Sequence, residues 1–432
     1  MLVTTAAKAR IAVIGLGYVG FPLALALAGR YSVTGLDLDR ERVAELARGH
    51  DRTGEAAADD ISQSALEIVG DPAAITGRNV FIVAVPTPID DENKPDLELL
   101  RAACRVIGRA LRKGGVVVFE STVYPGVTED VCGPELEAAS GLVSGSDFFL
   151  GYSPERVNPG DREHRVERVV KVVSGQTSEV SALLAEIYGS ITTAGVHVAK
   201  DIRTAEAAKV IENAQRDINI AFVNEVAQIM GALDISVHDV LETAGTKWNF
   251  LDFRPGLVGG HCISVDPYYL AHLATSVGHQ PEVILAGRRI NDGMGAFIAE
   301  RIAGRLAALG LGGRDARVLV LGLTFKEDVP DLRNSRVADL VAGLSVHGHR
   351  IDVHDPLASP EEADQRYGIQ LLADIETVAG YDCVVAAVAH AAYRAFTAQT
   401  LARLVRPGGL VADVKGMWRT LALPDGMRRW QL

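Results

Sequence analysis

The stretch "RIAVIGLGYVGFPLALALAGRYSVTGLDLD", residues 10–39, constrains the fold more than any other part of the chain. An apolar strand meets Gly15, Gly17 and Gly20 at GxGxxG spacing, a helix-like apolar run follows, and a second strand ends on Asp37. Each glycine has a mechanical reason: a tight turn, close approach of backbone to a pyrophosphate at the helix N-terminus, and tight helix-on-strand packing. Asp37, 17 residues beyond Gly20, is placed to accept hydrogen bonds from a ribose diol, and its charge repels a 2′-phosphate. The four features in register read as a dinucleotide-binding βαβ unit that favours NAD over NADP, with Tyr18 and Val19 in the same loop. Arg42 has two readings, one along the adenosine side of the cofactor and one as a solvated helix charge, and Arg30 is equally ambiguous.

Two more strands of this half end in loops suited to a ligand. "NVFIVAVPTPID" (79–90) is followed by Pro86 and Thr87, and "GGVVVFESTVYPG" (114–126) by Ser121 and Thr122. Ligands of open parallel sheets bind beyond the carboxyl ends of strands. Thr87, Ser121 and Thr122 are therefore candidates for nicotinamide or substrate contact, against ordinary turn hydroxyls.

The same rhythm returns near the end. "ARVLVLGLTFKEDVPDLRNSRVADLVAGLSVHGHRIDVHDP" (316–356) is strand, loop, helix and a strand ending at Asp355, and "YDCVVAAVAH" and "GGLVADVKG" supply further strands. The fold class is α/β: two Rossmann-like doubly wound, mainly parallel sheets joined by a helical middle domain. The expected boundaries are 1–198, 199–298 and 299–432. The second unit lacks the glycine fingerprint and offers Lys326 and Arg333 instead, side chains able to hold a diphosphate as a point charge and a fork. The competing reading is a solvated loop whose alternating charges satisfy one another.

The middle begins with "DIRTAEAAKVIENAQRDINIAFVNEVAQIMGAL", from Asp201 to about Leu233, without proline and without glycine until Gly231. The composition predicts one helix of about thirty residues, roughly 45 Å long. It can join two domains and offer a dimerisation face. Lys209 and Asn213 share a face at i, i+4. Glu206, Asp217 and Asn224 extend a polar stripe, which on a helix is ordinarily the solvent side.

"GGHCISVDPYYL" (259–270) places Cys262 outside any amphipathic pattern, with Asp266 four residues on. By itself the thiol could be core filler, a metal ligand, half a disulfide or a nucleophile. The chain has only four cysteines in 432 residues, with no CxxC and no Cys/His cluster at metal spacing, which argues against a metal site and a disulfide framework. With 48% apolar and 23% charged residues and no signal-like or membrane-length segment, the expectation is a globular cytoplasmic protein without a membrane role. A net charge of −12 argues against a general nucleic-acid binder.

Taken together, GLGYVG, "GYSPERVNPGD" (151–161), "AEAAKVIENAQRDINIAFVNE" (205–225), "FRPGLVGGHCISVDPYYL" (253–270) and "GLTFKEDVPDLRNS" (322–335) resemble the UDP-sugar 6-dehydrogenase family, in the family's order and over essentially the whole chain. The resemblance implies oxidation of a nucleotide sugar's C6 alcohol to a carboxylate with two NAD in succession. It makes Cys262 the nucleophile that carries a thiohemiacetal and then a thioester. It implies that Lys209 stabilises oxyanions, that Asp266 with Asn213 activates a water, that Glu155 assists thioester hydrolysis, and that Thr122 holds the water and nicotinamide network. Glu155, Arg156, Asn158, Lys209, Asn213, Phe253, Arg254, Gly259 and Lys326 match positions that hold the UDP-sugar. Gly15, Gly17, Tyr18, Val19, Gly20, Asp37, Arg42, Pro86, Thr87, Ser121, Thr122 and Arg333 match the NAD side.

A His261–Cys262 dyad is disfavoured, because adjacent residues of an extended loop point apart. Gly259 and Gly260 are expected to let the sugar approach the backbone. The forms "KVIENAQRDINIAFVNE", "GTKWNF" and "GGHC" sit nearer the branch that oxidises UDP-N-acetylhexosamines (UDP-GlcNAc or UDP-GalNAc) for capsule or O-antigen than the UDP-glucose branch, where GGSC is usual. UDP-ManNAc and UDP-glucose are the alternatives, and a homodimer through the long helix is implied.

Overall fold

The computed structural model describes residues 5–155, 167–261, 263–311 and 316–432. The chain packs as two compact units, residues 1–212 with 268–279 and residues 213–267 with 280–432.

The first unit is built on an eight-stranded sheet: β1 (Arg10–Ile14), β2 (Ser32–Leu36), β3 (Glu67–Val69), β4 (Val80–Val83), β5 (Val116–Phe119), β6 (Phe149–Tyr152), β7 (Lys171–Gly175) and β8 (Val196–Val198). The spatial order is β3-β2-β1-β4-β5-β6-β7-β8. Every pairing is parallel except β6 with β7, which run antiparallel with Tyr152 opposite Ser174. Strands covered on both faces read as unbroken apolar runs, as "VFIV" in β4 and "VVVF" in β5 do. Alternate residues feed the two faces, Ile11 and Val13 one core and Ala12 and Ile14 the other.

Gly15 leaves β1 at φ +91°, where a Cβ would stand 2.8 Å from the carbonyl oxygen of Ala84. A Cβ at Gly20 would lie 1.9 Å from the Gly15 oxygen, so the helix Gly20–Ala28 can start this close only on a glycine.

The second unit holds β9 (Arg317–Leu321), β10 (Arg350–His354), β11 (Tyr381–Ala386), β12 (Val405–Asp413) and β13 (Arg428–Gln431) in the all-parallel order β10-β9-β11-β12-β13. Val318 and Val320 enter one core, and Leu319 and Leu321 the other.

The long helix runs from Ile202 to Ala232, 31 residues, as its composition predicts. Its polarity is the reverse of the expectation. Glu206, Asp217 and Asn224 are 0% exposed, whereas Ile211, Phe222 and Ile229 are 50–59% exposed. Each buried polar group has found a partner, which offsets the cost of removing it from water. No described helix is long and apolar enough to cross a membrane, and no group of three or more candidate metal ligands exists among the described residues.

Candidate active site

In the first unit the loop after β1 has what a dinucleotide requires. A Cβ on Gly17 would meet nothing within 4 Å, so packing inside the protein does not demand a glycine there, and the backbone is open to an external group. Val19, at the N-cap of helix Gly20–Ala28, makes no side-chain capping bond, which leaves backbone donors for a phosphate. Asp37 accepts from the N–H of Leu16 (2.8 Å) and of Asp39 (2.9 Å), and a carboxylate retains lone pairs beyond those two.

Arg42 is not the solvated charge that one reading anticipated. It is 2% exposed, donates to Leu16 O (2.9 Å) and pairs with Asp51 (2.7 Å). Its guanidinium lies 5.3 Å from the Phe21 ring centre, and it braces the glycine loop from behind.

The loops after β4 and β5 are pinned to one another. Thr87 Oγ1 donates to Thr122 O (2.7 Å) and Ser121 Oγ to Val85 O (2.7 Å). The Tyr269 hydroxyl is within bonding distance of Thr87 O (3.0 Å) and of the carbonyl of Pro88 (3.1 Å). In these contacts the hydroxyls of Thr87 and Ser121 hold backbone.

Beyond β6 lies "SPE". Glu155 is 4% exposed, and its backbone oxygen accepts from Lys209 Nζ at 2.8 Å. Lys209 is itself 7% exposed, so an ammonium from the long helix stands beside this loop. The Glu155 carboxylate pairs with Lys171, which also binds Glu120 at 2.8 Å. Burial pushes the Glu120 carboxyl up, with Lys171 opposing and Glu155 adding to the rise. Burial alone would lower the Lys171 ammonium, but Glu120 and Glu155 outweigh it and hold it above the ordinary lysine value.

Elsewhere in the unit, Glu206 receives the N–H groups of Gly126 (2.6 Å) and Thr128 (2.9 Å). Burial lifts its pKa to about 7 in spite of those bonds.

In the second unit Asp266 opens the helix Asp266–Ser276 and accepts from Asn213 Nδ2 at 2.5 Å, both buried. Asn224 clamps the preceding loop: its Oδ1 takes Gly256 N–H (2.8 Å) and its Nδ2 gives to Gly256 O (3.1 Å). Asp217 receives Arg288 at 2.6 Å and Asn291 at 2.7 Å. Gly259 and Gly260 have a packing reason of their own. A Cβ at Gly259 would be 2.6 Å from Asn334 O, and one at Gly260, at φ +88°, would be 2.9 Å from the Phe325 ring.

His261 turns its Nδ1 to within 3.8 Å of Asp331 Oδ2, the oxygen that Arg333 also grips (2.6 Å). Burial alone would raise the Asp331 carboxyl, but the guanidinium and backbone N–H of Arg333, with a smaller contribution from His261, hold it below the ordinary range. Phe253 packs half-buried on the core, and Arg254 pairs with Asp252 at 2.8 Å. Lys326 lines a small pocket with Leu257, Glu327, Arg336 and Lys415. Cys262, Arg156 and Asn158 lie outside the described residues.

Comparison with known proteins decides the lineage. Residues 9–192 match the NAD-binding domain, 203–293 the central domain and 319–420 the UDP-binding domain of the UDP-glucose/GDP-mannose dehydrogenase family. The chain belongs to this family. It is 49% identical over 422 residues to protein CapL of Staphylococcus aureus, covering 98% of this chain and 99% of that one. It is also 49% identical over 407 residues to a UDP-N-acetyl-D-glucosamine 6-dehydrogenase of Pseudomonas aeruginosa, covering 94% and 96%. A solved UDP-D-ManNAc dehydrogenase from Pyrococcus horikoshii superposes with a TM-score of 0.87 at 28% identity, covering 97% and 98%.

As a member of the family the chain is an NAD-dependent oxidoreductase acting on UDP-sugars, with NAD in the N-terminal domain and UDP in the C-terminal one. Sequence reasoning missed Lys171 and Glu120, and read Glu206 and Asn224 as a solvent stripe. The antiparallel register carries the signal for Lys171. With Tyr152 opposite Ser174, continuing the pairing past the end of β6 brings position 155 opposite 171. In the neighbouring parallel pair Phe119 lies beside Tyr152, so Glu120 arrives from the other side.

Proposed function

We propose that this dehydrogenase oxidises the C6 hydroxymethyl of a UDP-N-acetylhexosamine, UDP-GlcNAc in first place, to the uronic acid. The observation that carries the sugar assignment is the identity of 49% with a UDP-GlcNAc 6-dehydrogenase, against 31% with a UDP-N-acetyl-D-mannosamine dehydrogenase of Salmonella typhi at similar coverage. The histidine at 261, in place of the serine usual in the UDP-glucose branch, agrees with it. NAD, held by the Gly15–Gly20 loop with Asp37 on the ribose, accepts one hydride at each of two oxidations.

The chain's own residues supply the remainder. The buried Lys209 ammonium stabilises oxyanions as they form. Cys262 adds to the aldehyde, so that the second hydride leaves a thiohemiacetal and a thioester results. The Asn213–Asp266 pair, joined at 2.5 Å, orients a water, and Glu155 takes a proton from the water that hydrolyses the ester. Thr122 is assigned to the water and nicotinamide network, Lys326 to the diphosphate of the sugar nucleotide and Arg333 to the cofactor. Steady-state assays with UDP-GlcNAc, UDP-GalNAc, UDP-ManNAc and UDP-glucose, read as NADH formed, test the sugar. The highest kcat/KM is expected for UDP-GlcNAc, and a preference for UDP-glucose or UDP-ManNAc would remove the assignment.

The working form is a homodimer through the long helix. The reason is its exposed apolar row of Ile211, Phe222 and Ile229, continued by Leu233 at 60%, since contiguous exposed apolar surface marks interaction sites. Light scattering should give twice the chain mass, and Phe222→Glu should shift it toward the monomer.

A further inference from the structure

We propose that Lys171 is a positioning residue for thioester hydrolysis: it aims the Glu155 carboxylate and keeps it ionised in a buried site, with Glu120 competing for the same ammonium. The inference rests on Glu155 acting as the hydrolytic base. Three observations carry it. Lys171 is the first residue of β7 and is 2% exposed, where a lysine is expensive unless paired. Its Nζ bridges Glu155 and Glu120, both buried. The Tyr188 ring, from the helix Ser178–Gly189, covers it at 5.1 Å. The ammonium thus has carboxylates on two sides and an aromatic face on a third.

The charge count gives the triad its purpose. Two carboxylates and one ammonium in a dry site leave an excess negative charge, so Glu120 and Glu155 compete for the one cation, while burial pushes the Glu120 carboxyl up. The Lys171 ammonium favours the ionised form of Glu155, and the Glu120 charge works against it. During hydrolysis the oxygen of water bonds to the thioester carbonyl carbon while one of its protons passes to Glu155. The C–S bond then breaks to release the Cys262 thiolate and the carboxylic acid. Glu155 returns its proton to the thiolate, and the acid gives its own to solvent. Lys171 neither donates nor accepts in these steps; its charge sets the pH at which Glu155 can begin them. Among the described residues, the charged and titratable groups about Glu155 include Lys171 from β7, Glu120 from beyond β5, Tyr188 beside Lys171, and Lys209 from the long helix, bonded to its backbone oxygen.

The test uses the full-length enzyme with UDP-GlcNAc and NAD, and reads rapid NADH formation, the steady state, the intact mass of the protein and the pH profile of kcat. In Lys171→Met the NADH burst should persist while the steady state slows by about 10- to 100-fold. The ester on Cys262 should then accumulate as a mass adduct. The acid limb of kcat should move up by about one pH unit, because a cation that favours the carboxylate is gone. Lys171→Arg should restore most of both. Glu120→Gln should move the same limb down, since Lys171 then serves Glu155 alone. It is also the variant to use if Lys171→Met fails to fold.

A purely structural lysine would lower stability and the burst together and leave the limb in place. A folded Lys171→Met with wild-type hydrolysis, or a Glu120→Gln limb that stays put or rises, overturns the inference. Glu155→Gln separates the two levels. Slow hydrolysis there with an unaffected Lys171→Met sinks the role of Lys171 alone, while normal hydrolysis in Glu155→Gln sinks the reading of Glu155 beneath it.

Discussion

The loops after β1 and after β9 begin alike and end differently. Gly15 at φ +91° donates its N–H to Leu36 O (2.9 Å), and Gly322 at φ +93° donates to His354 O (2.8 Å). The next residue in each, Leu16 or Leu323, gives its N–H to the acid that follows the second strand, Asp37 at 2.8 Å or Asp355 at 2.6 Å. From there they diverge. Asp37 takes one further N–H, from Asp39. Asp355 takes Thr324, Leu357 and Ala358 as well, and lies 3.1 Å from His390 Nε2. The same device is thus half used in one unit and saturated in the other, and only the half-used carboxylate has lone pairs left for a ligand.

Asp355→Ala should do the most damage, because it strands a buried histidine and four backbone donors. It should cost about 3–5 kcal/mol of unfolding free energy while leaving the NAD Kd of the folded protein unchanged, as denaturant titration and cofactor binding would show. Burial by itself would raise the Asp355 carboxyl, but His390 and the backbone N–H groups hold it well below the ordinary value. For a depressed carboxyl the stabilisation is complete above the unfolded pKa. It should fade as pH falls below about 3.9, and Asp355→Asn should flatten that acid limb of the stability curve.

Next in size is Gly322→Ala, whose Cβ would stand 2.4 Å from Val388 Cβ. A loss of about 1–3 kcal/mol is expected, again without change in NAD affinity. Asp37→Ala should do the converse, weakening NAD about 10- to 100-fold by calorimetry for a smaller loss of stability. The smallest change to the fold is Gly17→Ala. With nothing within 4 Å of the added carbon, unfolding should move by less than about 1 kcal/mol, yet NAD should bind roughly tenfold more weakly if the backbone there meets the pyrophosphate.

Both α/β units, the glycine loop and the acidic strand end are legible in the sequence, because strand, loop and helix are local patterns of apolar period and turn residues. The long helix was legible in extent but not in orientation. A stripe of Glu206, Lys209, Asn213, Asp217 and Asn224 looks the same whether it faces water or a set of partners, and the partners lie far off in sequence. Gly126, Asp266, Gly256, Arg288 and Asn291 turn that stripe inward. Lys171 was hidden for a related reason. At the head of "KVVSG" it reads as a charge at the end of a strand, and only the one antiparallel pairing in the sheet brings it to Glu155. The glycine pair before His261 is also required by packing on Phe325 and Asn334, a contact no local pattern announces.

Two successive oxidations should carry one UDP-GlcNAc to its uronic acid. The direct measurement is NADH formed per UDP-GlcNAc consumed to completion, with the product identified by mass. Two NADH per sugar and a C6 carboxylate are predicted. One NADH per sugar with an aldehyde product, or complete two-NADH turnover in Cys262→Ser, would contradict it.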